Sequence, residues 1–280
     1  MKFRELFQHT FRALRPAVEA RIAEEASRHL ILHHIPVPRP SEGRGQGWGL
    51  VERHLSDRSG FCRACVRMGY LTMEQMQRAA QRYRLGMARD GGVIFWQIDQ
   101  LGCIYDGKVM YYREDCHRDH SRHPTWVSNE LKRFYLGRDA DSINLSTTHC
   151  LFGTHLLGHM NNSVCVVEAE KTAVIMSEHF PQYLWLATGG LNELTAVKLF
   201  PLRGRKIILF PDTDPDGKAY TLWYGIAQQA QRLLGQPVTV SPLLELNATA
   251  EQKHRKIDLV DFLFEGHTEN TESTEIVHDA

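Results

Sequence analysis

No apolar run in the 280 residues approaches the roughly 18 needed to carry a helix across a bilayer, so membrane spanning is not expected. The opening Met1-Lys2-Phe3-Arg4-Glu5 likewise lacks the uninterrupted apolar stretch of a secretory signal. Cysteine is sparse. Six residues, at 62, 65, 103, 116, 150 and 165, are too few for a disulfide-stapled scaffold, and without a secretion signal they read as the reduced thiols of a cytoplasmic protein. With 21 glycines and 11 prolines there is no collagen-like or low-complexity majority. Excess charge of either sign is missing too, since 33 basic residues balance 33 acidic ones, and that balance by itself argues against a polyanion-binding protein. What remains, 42% hydrophobic and 24% charged, is an ordinary globular composition in a chain long enough for about two domains.

The balance conceals a split. Residues 1–150 carry 23 Lys and Arg against 17 Asp and Glu, whereas residues 151–280 carry 10 against 16. A basic first part and an acidic second part fit a polyanion-binding surface beside a carboxylate site, and equally a surface with no role. Part of the acidity sits in residues 265–280, which hold five acids and no Lys or Arg and whose polar composition predicts a disordered tail.

Along the chain, Phe3, Leu6, Phe7, Phe11 and Leu14 fall at helical intervals before Pro16, and 18–29 continues as helix. The Pro-, Gly- and Arg-rich stretch 36–47 is a linker, so 1–48 reads as a helical segment and linker. Phe61, Cys65 and Met68 recur at helical spacing, which puts Cys65 on a core face. Cys62-Arg63-Ala64-Cys65 would need two more ligands to hold zinc, and the best candidates, in Cys116–His123, lie more than fifty residues away. Buried thiols are therefore favoured and zinc is not expected. The stretch 113–123, dense in Arg and His, reads as an exposed loop suited to phosphate contact. Thr72-x-x-Gln75 has the form of a capping box opening a helix over 73–84, with Met76, Ala79, Ala80 and Tyr83 on one face and Gly86 just past its end. Runs at 93–98 and 108–112 predict antiparallel strands, and 128–136 a helix. Beyond 160 strands at 164–167, 183–187, 206–210 and 238–240 alternate with helices at 171–179, 191–199, 218–234 and 259–264. Continuous apolar strands alternating with helices predict a mostly parallel sheet with helices on both faces.

Ligands of such sheets sit beyond the carboxyl ends of the strands, and here those ends carry acids. Glu168 follows 164–167 directly, and Asp212-Thr213-Asp214-Pro215-Asp216-Gly217 follows 207–210 almost directly. Carboxylates gathered at one sheet edge repel one another, and a hard cation such as Mg²⁺ relieves that repulsion while keeping several waters. An EF-hand calcium loop starting at Asp212 is excluded, because its twelfth position is Trp223 rather than Glu. An ordinary turn with Asp as a helix N-cap is the competing reading of the same six residues.

Val166-Val167-Glu168-Ala169-Glu170-Lys171, Leu186-Ala187-Thr188-Gly189-Gly190-Leu191 and Ile207-Ile208-Leu209-Phe210-Pro211-Asp212-Thr213-Asp214-Pro215-Asp216-Gly217 resemble, in order, the motifs of the TOPRIM domain shared by DnaG-type primases, topoisomerases and certain nucleases. Lys256-Ile257-Asp258-Leu259-Val260-Asp261-Phe262-Leu263 is similar to the acidic segment closing that domain in primases. Upstream, 93–99, 107–112, 124–130 and 151–157 follow the pattern of the β-rich subdomain that precedes TOPRIM in primases, most like the primase-like proteins of bacterial mobile elements. The resemblance implies an α/β fold: a smaller α+β primase-like subdomain over 49–160, a TOPRIM domain over 161–264, and the tail from 265. Two departures stand out. Ala169 replaces the usual Gly after the catalytic Glu, and Thr125 replaces a basic residue.

By this resemblance Glu168 is the general base or acid, and Asp212 and Asp214, with Asp216 a further candidate, hold Mg²⁺ or Mn²⁺ for nucleotidyl transfer from NTPs on single-stranded DNA. Arg89, Lys108, Arg113, Lys132 and Arg133 are the candidates for gripping template backbone. Glu170, Lys171 and Asp258 are expected to support the acids; Glu170 is also favourable in any first helical turn. A helicase or relaxase is the protein partner the resemblance allows, and no membrane is expected. A TOPRIM nuclease and a non-catalytic nucleic-acid-binding module are the alternatives.

Overall fold

The computed structural model describes residues 51–129, 149–159 and 163–265. The helices expected within 1–29, the linker at 36–47, most of the helix expected at 128–136, and the tail from 266 lie outside the described residues.

The first part opens with α1 (Gly60–Arg67), whose N-terminus is capped by Ser59: its Oγ accepts from the Cys62 N–H at 3.3 Å. Phe61, Cys62, Ala64 and Cys65 are buried, but Met68 lies past the last helical residue and is exposed, so the 61/65/68 spacing overshoots the helix by a residue. Helix α2 (Met73–Tyr83) carries the expected capping box, with Thr72 and Gln75 each accepting the other's backbone N–H. It ends on Arg84 in the left-handed region (φ 53°), not on Gly86. Gly86 serves another purpose: a Cβ there would sit 2.9 Å from Trp96 Nε1 and 3.0 Å from Ile94 Cβ. It opens β1 (Gly86–Met87), which pairs antiparallel with β2 (Val93–Ile98), then β3 (Ile104–Met110) and β4 (Thr125–Trp126) in the order β1-β2-β3-β4. The third strand starts earlier than the expected 108–112 because Asp99 Oδ1 accepts the N–H groups of both Leu101 and Cys103 at 2.8 Å, closing a tight turn.

The second part is a parallel sheet of β5 (Val164–Val167), β6 (Leu184–Ala187), β7 (Ile207–Phe210) and β8 (Val238–Val240) in the order β6-β5-β7-β8. All residues of β5, β6 and β7 are buried, as fully covered strands require. Helix α3 (Glu170–His179) packs on β5 and β6, and α4 (Lys218–Leu234), with the bounds its pattern predicts, packs on β8 and ends at Gly235 (φ 66°). The helix expected at 191–199 is instead two 3-10 turns, Leu191–Glu193 and Val197–Leu202. Pro201 accounts for the second, since it has no N–H to return to Val197 and its ring crowds that carbonyl. Three short helices close the chain: α5 (Leu243–Asn247), α6 (Ala250–Arg255) and α7 (Leu259–Glu265). Glu265, read as tail, ends α7 and accepts from Arg255 Nη2 at 2.6 Å.

One continuous apolar core joins the two parts. Phe152 stacks on Tyr83 (5.1 Å, 16°), packs edge-on to Phe95 of the first sheet, and pairs its backbone with Ala187 of the second. Truncating such a ring costs about 3–5 kcal/mol. Tyr83 Oη donates to the Trp185 carbonyl at 2.8 Å, and Arg78 and Arg82 of α2 both reach the buried carboxylate of Glu178 on α3 at 2.9 Å. Among the described residues no helix is long and apolar enough to cross a membrane.

Candidate active site

Strands β5 and β7 are neighbours in parallel register, Val167 opposite Phe210. Glu168 is the first residue past β5 and Asp212 the second past β7, so the two emerge side by side at the carboxyl edge. The Asp212 N–H donates to Glu168 Oε1 at 3.1 Å. Burial, with the charges of Asp258 and Asp214 added, pushes the Glu168 carboxyl up to about 7 against the pull of that N–H. Asp212 is raised well above the usual carboxylate range by burial and then by Glu168, with Lys171 opposing. Two acids so placed resist ionising together, and a proton or a cation between them removes the conflict.

The pair lies in a cleft of about 400 Å³ that is also lined by basic side chains: Arg113, His117, Arg118 and His120 from the loop after β3, and Arg255 and Lys256 from the end of α6. Lys108 also lines it, but its Nζ is committed, donating to Glu170 Oε1 at 3.0 Å and to the Gly189 carbonyl at 2.7 Å. Both partners of this ion pair are nearly fully buried, and it ties the first sheet to the second. Gly189 (φ 90°) permits it, since a Cβ there would come within 3.1 Å of Glu170 Oε1 and 3.4 Å of Lys108 Nζ. Lys171 is equally committed: its Nζ lies 3.3 Å from Asp258 Oδ2, which also accepts from Thr172 Oγ1 at 2.6 Å. Burial would raise Asp258, but Lys171 and these hydrogen bonds outweigh it and hold the carboxyl low.

Of the three acids in the 212–217 loop, then, only Asp212 faces the cleft. Asp214 caps α4: Oδ1 accepts from the N–H groups of Asp216 (2.9 Å) and Lys218 (3.0 Å), and Oδ2 from Ala219 (2.6 Å). Burial would raise it, yet these three donors keep it low. Asp216 is exposed and pairs with Lys218. The N-cap position itself is Gly217, but Asp214 receives the first-turn N–H groups, so the turn reading describes Asp214 and the ligand reading is left with Asp212. The proposed backbone grip changes as well. Lys108 is spent on Glu170, and Arg89 is exposed in the turn after β1, away from the cleft lining. Arg113 does line the cleft, paired with Asp115 at 2.7 Å, while Lys132 and Arg133 lie outside the described residues. Arg118 and His120 fall in the 113–123 loop that the sequence marks for phosphate contact, whereas sequence reading missed Arg255 and Lys256 as cleft residues. The Thr249-x-x-Gln252 capping box that opens α6 was the available signal for the last two.

Cys62, Cys65 and Cys116 are buried in the core between α1 and the 113–118 loop. A hydrogen bond to Cys116 and burial hold the Cys65 thiol up, as an unreactive buried thiol requires. Among the described residues no group of three or more His, Cys, Asp or Glu side chains is disposed to hold a metal ion. Glu168 and Asp212 nonetheless have the chemistry of a Mg²⁺ site that is completed by its ligand. That ion is commonly held by one or two carboxylates together with substrate phosphates and retained waters.

A family model described as "Domain of unknown function (DUF6371)" matches residues 64–213. No curated protein matches the chain at a significant level. Among solved structures the chain is similar to the primase fragment of the bacteriophage T7 primase-helicase protein, at 17% identity and a TM-score of 0.37, over 64% of this chain and 70% of that one.

Proposed function

The chain belongs to the DUF6371 family, and for this member we propose a Mg²⁺-dependent, primase-like nucleotidyl transfer from NTPs on single-stranded DNA. The observation that carries the proposal is the placing of Glu168 and Asp212 on neighbouring strand ends, the Asp212 N–H on the Glu168 carboxylate at 3.1 Å, in a cleft that basic side chains also line. The ordered TOPRIM and primase-like motifs support it. In this reading Glu168 and Asp212 hold Mg²⁺ or Mn²⁺, which when bound supplies neutralisation of charge on triphosphate oxygens. A Glu168 oxygen not spent on the ion would take the proton of an attacking 3′-hydroxyl. Lys108 and Glu170 lock the Gly189 turn beside it, and Lys171 with Asp258 fixes the floor; these residues position the acids.

One observation favours a second reading, a nucleic-acid-binding module without turnover: Asp214, the partner expected of Asp212, is occupied with capping α4.

The test incubates the full chain with Mg²⁺ or Mn²⁺, single-stranded DNA and labelled NTPs beside Glu168→Gln and Asp212→Asn. Labelled oligomers that fall by roughly 10²-fold or more in Glu168→Gln are expected, the usual scale for a lost general base. Shortening of labelled DNA would indicate a nuclease instead, and binding with neither activity would leave the module.

A further inference from the structure

A second cavity, of about 370 Å³, adjoins the first and shares Tyr112 and Arg113 with it as a common wall. Its other lining residues include Arg63 and Arg67, one turn apart on α1, with Gly60, Ala64 and Glu114. Arg63 and Arg67 thus line one cavity, Arg118 and Lys256 line the other with Glu168 and Asp212, and Arg113 lines both.

The state of these cations separates them from the lysines deeper in the cleft. Arg67 pairs with Glu114 and Arg113 with Asp115, but all four side chains are about half exposed or more, and exposed pairs of this kind contribute little and exchange partners readily. Among the described residues Arg63 reaches only the Arg58 carbonyl. Arg118 and Lys256 make no side-chain hydrogen bond or ion pair among the described residues. Phosphates could therefore replace the present partners without dismantling a buried network, whereas Lys108 and Lys171 could not be recruited without stranding Glu170 or Asp258. Cations spread over two contiguous cavities, rather than gathered in one, suit a repeating anion more than an isolated one.

We propose that the backbone of a single nucleic-acid strand takes a route through both cavities, with Arg63 and Arg67 of α1 gripping phosphates in the second cavity and Arg113, Arg118 and Lys256 those approaching the carboxylates. The inference rests on the reading of the cleft as a site of nucleotidyl transfer and names the path of its polymeric substrate.

Fluorescence anisotropy of a labelled 20-nucleotide single-stranded DNA over a salt series, with the full chain and Arg63→Gln/Arg67→Gln, tests it; Arg232→Gln, a surface change on α4, is the control. Each phosphate contact to a single strand adds about 0.7 to the slope of log K against log salt. Loss of two contacts is expected to make the slope shallower by about 1.4 and to weaken binding about 25-fold at 0.1 M salt. Circular dichroism of the variant matching the wild type keeps the result interpretable, because the substituted side chains are on the surface. An unchanged slope with less than a twofold affinity change overturns the route, as does equal binding of a duplex of the same length. Calorimetry with Mg²⁺ and an NTP on wild type and Glu168→Gln/Asp212→Asn reads the carboxylates alone. Heat lost there with no oligonucleotide effect overturns only the route; an oligonucleotide effect with no nucleotide heat in either protein retains the route and overturns the proposed chemistry.

Discussion

The cleft uses charge in two opposite ways. One set of groups is buried and held by partners: Lys108 of the first sheet with Glu170, and Lys171 with Asp258, around the acids Glu168 and Asp212. In the other set Arg113, Arg118 and Lys256 are exposed, with weak partners or none among the described residues. A buried charge whose partner is removed leaves a large desolvation cost, so such pairs hold geometry and are poorly suited to exchange. Exposed charges are already hydrated and can move to a ligand at little cost. The difference assigns positioning to the buried set and capture to the exposed one.

The strongest attempt to break this contrast is Lys108→Met. It strands Glu170, whose side chain is only 2% exposed, and is expected to cost about 3–5 kcal/mol, seen as a drop of roughly 10 °C in Tm. Adding Glu170→Leu should restore most of the loss, because an apolar pair of similar volume is often neutral. A single variant that melts like the wild type would mean that the pair does not fix the two sheets.

Next in size is the pH dependence set by Glu168. Its carboxyl is higher in the folded chain, near 7, than in the unfolded one, so the folded state binds more protons between the two values. The stability it contributes is therefore present below the ordinary glutamate pKa and is lost as pH rises through about 7. Denaturant unfolding at several pH values should show this decline in the wild type and less of it in Glu168→Gln. That variant should be more stable by on the order of 1–3 kcal/mol at pH 8. Parallel pH profiles for the two proteins would contradict the burial argument.

Smaller again is Asp214→Ala, expected to cost about 1 kcal/mol through loss of the α4 cap. Mg²⁺ uptake by calorimetry should be unchanged in this variant and reduced in Asp212→Asn, which distinguishes cap from ligand. At the bottom of the scale, Arg67→Gln should alter stability by less than about 0.5 kcal/mol, because its partner Glu114 is exposed. A large loss there would place Arg67 with the positioning charges instead.

Much of this arrangement is legible in the chain itself. The 73–84 helix, the apolar strands of the second part and the bounds of α4 follow from short-range periodicity and capping chemistry, which act within a few residues. Glu168 and Asp212 were legible because strand ends in a parallel sheet converge on one edge. The apolar spacing of 191–199 predicts a helix without regard to Pro201 just beyond it, and the need for Gly86 is invisible locally because its constraint, the approach of Trp96, comes from another strand.

What each polar residue does was a matter for the tertiary structure. The spacing of Asp212, Asp214 and Asp216 is the same whether the second acid faces a cation or caps a helix, and the direction of the α4 N–H groups decides between them. Lys108 reads as a surface cation until Glu170, 62 residues away, is brought to 3.0 Å. Local sequence determined where strands and helices form and which edge collects acids. Only the packing of two sheets on one core determined which charges are buried together and which stay in water, since burial depends on partners distant in the chain.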